Sequence, residues 1–313
     1  MSGVLQFNCH GKGRVRLVKV IRGANGVHDV IQFSVQILLE GDTMDSVFTT
    51  GNNDKVVATD TCKNTVYCVA NENEFNSPEE FGILLCKHFL ELYPKIVNRI
   101  SVQIIKDRWE RLESPDSAGR MSAHLHTFKR IGPNRPYAHV QGEKRPNTQL
   151  KLNVQSGFRG LDIMKTTQSG FVGFYRDRYT SLPEDTDRLL GTSIDAEWTY
   201  PPCAVLRGGI DYNKVAQVVE NALIYEFAGP SDKGTYSKSV QQTLYLMAQA
   251  ALNNTRIITS ITLQMPNIHN LSFALDKYGL VNKDHTGKPS IFFPIDEPHG
   301  MIKATVARTP SRL

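Results

Sequence analysis

With 313 residues the chain exceeds the usual size of one hydrophobic core, so two domains of about 150 residues are the starting expectation. Its 40% hydrophobic and 21% charged residues are those of a globular protein, and no apolar run approaches the length of a membrane span. A net charge of +5, from 36 basic and 31 acidic residues evenly spread, gives no argument for nucleic acid and supports only a weak field favouring small anions.

Met1–Lys12 has no apolar signal-peptide core, so secretion is not expected. The five cysteines, Cys9, Cys62, Cys68, Cys86 and Cys203, are an odd number without CxxC pairing, which points to reduced thiols; Cys62 and Cys68 are expected to be buried.

In chain order, Val15–Ile21 and Val30–Leu39 alternate apolar and polar residues, with Gly23, Asn25 and Gly26 between them, and predict a hairpin. Val56-Val57-Ala58 predicts a short buried strand running into Thr59-Asp60-Thr61, a polar strand end of the kind on which sites are built. Ser77-Pro78-Glu79-Glu80 announces a helix carrying Phe81, Leu84, Leu85, Phe89 and Leu92 on one face and stopped by Pro94. Ile100, Val102 and Ile104 predict another strand, Trp109–Tyr137 continues as strand and loop, and Glu113–Thr148 looks rich in loops.

The second half repeats the plan. Leu161–Thr167 predicts a strand running into Gln168-Ser169, Asp211 caps a helix ended by Gly229-Pro230, a second helix starts near Ser237–Ser239, and Ile257–Leu263 alternates as a strand. The recurrence suggests an internal duplication with repeats at 1–148 and 149–313, in an α+β arrangement of antiparallel sheets with helices on one face. Neither GxGxxG nor GxxxxGK(S/T) occurs, so no dinucleotide or triphosphate loop is expected.

Several segments together carry a resemblance. Gly11-Lys12, the Thr-Asp-Thr…Lys-Asn-Thr stretch from Thr59, Thr166–Phe171, Leu182-Pro183-Glu184 with Asp187-Arg188, Phe227-Ala228-Gly229-Pro230, Ser239-Val240-Gln241 and Pro266-Asn267-Ile268-His269 follow in order along nearly the whole chain. The chain resembles the urate oxidase (uricase) family. That resemblance implies two tandem tunnelling-fold domains per chain, and a homotetramer whose sheets close into β-barrels with active sites at subunit interfaces. It implies oxidation of urate by O2 and water to 5-hydroxyisourate and hydrogen peroxide, with O2 a co-substrate and no metal or organic cofactor.

The same resemblance assigns residues. Phe171 would stack on the planar purine, Arg188, read as lying in a short helix after Pro183, would fork onto its anionic edge, and Gln241 would face a ring N–H beside a carbonyl. Val240, Thr59 and Asp60 would act through their backbones, Asn267 would hold O2 and then water, and Lys12, Thr59 and His269 would form a proton relay. Lys12, Thr59 and Asp60 would come from one subunit and the remaining residues from its neighbour. His124-Leu125-His126, without a third ligand, is read as structural. The terminal Ser311-Arg312-Leu313 resembles the peroxisomal Ser-Lys-Leu address and would bind an import receptor. Partners in nucleic acid or membrane are not expected. Two other readings stand beside this one: another tunnelling-fold enzyme acting on a purine or pterin, and a non-catalytic purine-binding module.

Overall fold

A computed structural model of the chain describes residues 3–309, so the Ser311-Arg312-Leu313 tail lies outside the described residues. The chain divides into two compact units: the residues up to Phe158 together with Trp198–Ala216, and Arg159–Glu197 together with those from Gln217 onward.

The first unit opens with the expected hairpin, β1 (His10–Arg22) and β2 (His28–Glu40), turned at Asn25 with φ 58°. Ile31, Phe33, Val35, Ile37 and Leu39 all point inward and are buried, as their alternation requires. Helices α1 (Asp45–Thr49), α2 (Thr59–Glu72) and α3 (Pro78–Leu92) follow. Ser77 caps α3 by accepting from the Glu80 N–H at 3.2 Å, and the Glu80 carboxylate reaches back to the Asn76 N–H at 2.7 Å. Strands β3 (Arg99–Asp107), β4 (Trp109–Pro115), β5 (Met121–Arg130) and β6 (Arg135–Glu143) complete the run, with β1, β2, β3 and β6 successive antiparallel neighbours. A Cβ on Gly82 would stand 2.6 Å from Val140 Cγ2, so α3 lies directly on β6. Phe33, Phe75 and Phe81 form the aromatic centre, Phe75 and Phe81 stacking at 4.4 Å between centroids.

Strand β7 (Lys151–Lys165) and strand β8 (Leu190–Thr199) pass from one unit to the other, and α4 (Pro202–Arg207) lies in the first. In that unit Glu79, 4% exposed, accepts from Ser156 Oγ; Ser156 Oγ lies 3.0 Å from Tyr200 Oη, which in turn accepts from Trp198 Nε1 at 2.8 Å. Burial pushes the Glu79 carboxyl above its ordinary value, so this core network contains a carboxyl that resists ionisation. The second unit takes most of α5 (Tyr212–Ala228), then α6 (Val240–Asn254), β9 (Ser260–Ser272) and β10 (Phe292–Ala307). Helix α6 packs on the β9–β10 pair through Val240, Leu244, Met247, Ala248 and Ala251.

Four local expectations are corrected. Val56–Ala58 is extended but joins no strand, and Thr59 begins α2, because Cys62, Val66, Val69 and Ala70 recur at helical spacing and are buried on one face. Three apolar residues were too few to fix a strand against that longer pattern. Glu113–Thr148 contains β5 and β6 rather than being mostly loop. Arg188 lies in an irregular segment held by its neighbours' backbone, not in a helix. Cys62 is buried, whereas Cys68 faces outward from α2 and is exposed.

Candidate functional site

The expected residues fall into two groups, one in each unit. In the first, Gly11 permits a close approach: a Cβ there would lie 1.9 Å from the Ile37 carbonyl oxygen. Just beyond it the β1–β2 register slips, so that Gly13 and Arg14 both stand against Gln36, and Arg14 takes φ 55°. Such a bulge re-aims the neighbouring side chain, here half-buried Lys12. His10 Nε2 meets the Val57 carbonyl at 3.0 Å, tying β1 to the residues that lead into Thr59.

Thr59 and Asp60 are the first two residues of α2, whose N-cap, Ala58, offers no side-chain acceptor. The first-turn N–H groups therefore remain available to an incoming acceptor, at the positive end of the helix dipole. The Asp60 carboxylate is occupied by its own helix, accepting from Lys63 Nζ at 2.6 Å and Asn64 Nδ2 at 2.8 Å. The Lys63 bond and charge hold its pKa below the ordinary carboxylate value, and Lys12 adds a smaller push in the same direction. What Asp60 can present to a ligand is its backbone. Burial raises the Cys62 thiol to about 11, which leaves it inert at neutral pH.

In the second unit three irregular segments lie side by side. Ser237 donates its N–H to Gln168 O at 2.9 Å and accepts the Gly170 N–H at 2.9 Å. Phe171 and Asp185 exchange backbone bonds at 2.7 and 3.2 Å, and the Arg188 N–H reaches Ser169 O at 2.8 Å. Asp187 fastens the same corner, accepting from Thr167 Oγ1 at 2.6 Å, from the Gln168 N–H at 3.1 Å and from Lys288 Nζ. This backbone mesh brings Phe171 and Arg188 together, with the guanidinium carbon 5.4 Å from the ring centroid. Phe174 stacks parallel to Phe171 at 4.8 Å and 9°. Arg188 is half-buried, its Nε is enclosed without a hydrogen-bond partner, and burial lowers its pKa while Asp185 opposes that shift.

The segment through Ser237 continues directly into α6. Ser239 caps that helix by accepting the Gln242 N–H at 3.1 Å, so Val240 and Gln241 occupy its first turn, Val240 buried and Gln241 exposed. Asn267 and His269 stand two apart on β9, both half-buried on one face, as the strand period requires. Between them β9 has one residue where β10 has four, since Asn267 pairs with Gly300 and His269 with Ile295. That bulge opens the ladder where the two side chains sit.

A uricase family model matches residues 8–141 and 154–303. The uricase of Dictyostelium discoideum is 39% identical over 306 residues, covering 98% of each chain. The chain belongs to the uricase family. An Arabidopsis thaliana uricase is 40% identical, covering 100% of this chain and 98% of its own. The crystal structure of the Arthrobacter globiformis uricase superposes with a TM-score of 0.85 at 33% identity, covering 100% of this chain and 98% of that one. The α+β tunnelling fold expected from the uricase resemblance is therefore the fold of this chain.

Sequence reasoning assigned no role to several residues that build these two groups. His10 sits beside the Gly11-Lys12 motif, Lys165 directly precedes Thr166, and Asp187 stands inside the Asp187-Arg188 motif without a role of its own. Local sequence gives little signal for their roles, because their partners lie 19 to 101 positions away. His124 and His126 do share β5, with ring centroids 4.7 Å apart. Among the described residues no three His, Cys, Asp or Glu side chains are grouped to hold a metal ion.

Proposed function

We propose that the chain is a urate oxidase that oxidises urate with O2 and water to 5-hydroxyisourate and hydrogen peroxide. The carrying observation is Arg188, a half-buried guanidinium against the Phe171 ring with an enclosed Nε donor left unpaired. A half-buried guanidinium held against an aromatic face suits a ligand with a flat face and an anionic edge. A purine anion has both. Gln241 in the first turn of α6 supplies a paired donor and acceptor for the opposite edge, and the helix dipole favours the negative charge.

The reaction moves two electrons from urate to O2 and adds water to the oxidised purine. O2 becomes hydrogen peroxide by taking up two protons, and the carbon that loses electrons gains hydroxyl. O2 is a triplet that reacts slowly with closed-shell molecules, so the protein must first make the purine a better one-electron donor by removing a further proton. Lys12, Thr59 and His269 form that relay: Lys12 is the base, the Thr59 hydroxyl passes the proton, and His269 orients the chain. The free N–H groups at the start of α2 meet the purine edge through Thr59 and Asp60. Asn267 holds O2, and afterwards water, above the ring. Urate gives up and O2 takes up all the electrons, so the overall reaction consumes no other oxidant, and we assign it no metal or organic cofactor.

The two groups of residues complete one another across a subunit interface in a homotetramer whose sheets close into barrels. The chain carries the two tandem tunnelling-fold repeats this requires. Ser311-Arg312-Leu313 addresses the enzyme to the peroxisome through the import receptor, where its peroxide product can be consumed.

Purified protein mixed with urate should abolish the purine's ultraviolet absorbance and release peroxide one for one, at a rate that a strong chelator leaves unchanged. Persistence of the absorbance refutes the assignment, and a chelator-sensitive rate refutes the cofactor-free course. A fluorescent protein ending in Ser-Arg-Leu should concentrate in peroxisomes; an even cytosolic signal removes the localisation.

A further inference from the structure

The half-site around Phe171 and Gln241 rests on a lysine that none of the chemistry above uses. Lys165 is the last residue of β7 and is half-buried. Its Nζ donates to Thr235 O at 2.8 Å and to Ser237 Oγ at 3.0 Å, and stands 4.7 Å from the centroid of the Phe227 ring. Two of its three donors are thus engaged by oxygen and the ammonium faces a π cloud. No carboxylate among the described residues lies within ion-pair distance of it, and burial lowers its pKa.

Ser237 is held from two sides. Lys165 grips its side chain, while its backbone is bonded to Gln168 and Gly170, the residues directly before Phe171. Two residues later Ser239 caps α6, and Val240 and Gln241 follow. The ammonium therefore adds a side-chain tie between the end of β7, which leads to the stacking ring, and the segment that leads to the helix start carrying the edge-reading amide. A neutral side chain of equal length would fill the space but leave Thr235 O and Ser237 Oγ without their donor.

We propose that Lys165 is a positioning residue for the purine-binding half of the site, and that its carboxylate-free charge favours the anionic form of the substrate. A half-buried cation without a carboxylate partner is less favourable in the empty protein, and a bound anion offsets part of that cost. The lysine thereby couples the geometry of the pocket to the charge of what enters it. This inference rests on the urate reading of the same site.

The test is steady-state urate kinetics on the full-length wild type, Lys165→Met and Lys165→Arg, with thermal melting and oligomeric state measured on each. Wild-type turnover is scored first, because its absence sinks the urate reading and not the role of Lys165. With the wild type active, Lys165→Met should raise KM by roughly tenfold or more with a smaller change in kcat. Lys165→Arg, which keeps the charge and several donors, should recover most of that loss. A Lys165→Met enzyme with KM within twofold of wild type overturns the proposal. So does an equal fall in kcat/KM for both variants in step with their melting temperatures, since that pattern describes a merely structural lysine.

Discussion

Gly170→Ala tests whether the backbone mesh around Phe171 is as tight as its geometry states. The added methyl would lie 2.1 Å from Tyr236 Oη, 2.9 Å from Asp185 O and 3.2 Å from Thr186 Cα. Two of those three neighbours are backbone in the segment that leads to Arg188, so neither can rotate away. The third, Tyr236, is fixed by its bond to Thr186 O at 2.9 Å. Relief requires the 168–171 and 185–188 segments to part by roughly 1 Å, an overpacking cost of about 2–3 kcal/mol. That movement displaces Phe171 from Arg188, and a misplacement of about 1 Å in a binding constellation can cost on the order of 100-fold in rate. The expected result is a fall of about 30- to 100-fold in kcat/KM for urate, read by loss of absorbance in an enzyme whose oligomeric state is verified. In a Tyr236→Phe background the 2.1 Å contact disappears, so the double variant should lose less than the two single losses combined, by about 1–2 kcal/mol. A Gly170→Ala enzyme within threefold of wild type, or strictly additive variants, refutes the reasoning.

Ser239→Ala removes the cap of α6 and should cost about 1 kcal/mol of stability while raising KM, because Val240 and Gln241 lose their fixed start; an unchanged KM with a lowered melting temperature separates the helix from the site. Glu79 has a folded-state pKa raised above its unfolded value by burial, so its contribution is fully present below the ordinary carboxylate range and is lost as pH rises through the higher folded value. Glu79→Gln, which keeps an acceptor for Ser156, should therefore gain melting temperature relative to wild type as pH rises from about 4 to 8, and parallel curves would contradict the buried-carboxyl account. Thr59→Ala and Arg188→Ala should each be inactive as homo-oligomers yet recover part of the activity when co-assembled; verified mixed oligomers that stay dead would exclude sites shared between subunits.

Legibility in the sequence followed the length of the pattern. The β1–β2 hairpin, α3, α5 and α6 were plain because each carries four or more apolar residues at one period, with Ser77, Asp211 or Ser239 at the start. Val56-Val57-Ala58 supplies a local β signal that points to a strand end at Thr59, whereas the buried face of α2 runs through Cys62, Thr65, Val66 and Val69 amid polar residues. The family motifs single out candidate site residues in the sequence, but not the residues that support them. His10, Lys165, Tyr236 and Asp187 act through backbone oxygens, hydroxyls and charges far along the chain, and no local period encodes such pairings.

The two groups also differ in how they are built, and the difference fits the roles proposed for them. Lys12, Thr59 and Asp60 sit on regular elements, a bulged strand and the first turn of a helix, which fix direction while leaving helix N–H groups free. Proton transfer needs that directionality, since a relay works only when donor and acceptor are aligned. Phe171 and Arg188 sit instead on irregular chain meshed by Ser169, Ser237, Asp185 and Asp187. A planar anion demands a slot of fixed width more than a single direction. Cross-bonded segments set that width through many bonds, with Gly170 admitting no larger residue between them. Under the proposed roles, substitutions of Lys12, Thr59 and His269 should act chiefly on kcat and those of Phe171 and Gln241 chiefly on KM. Chemistry and substrate selection are then separable in the kinetics, although His269 places one member of the proposed relay among the second group.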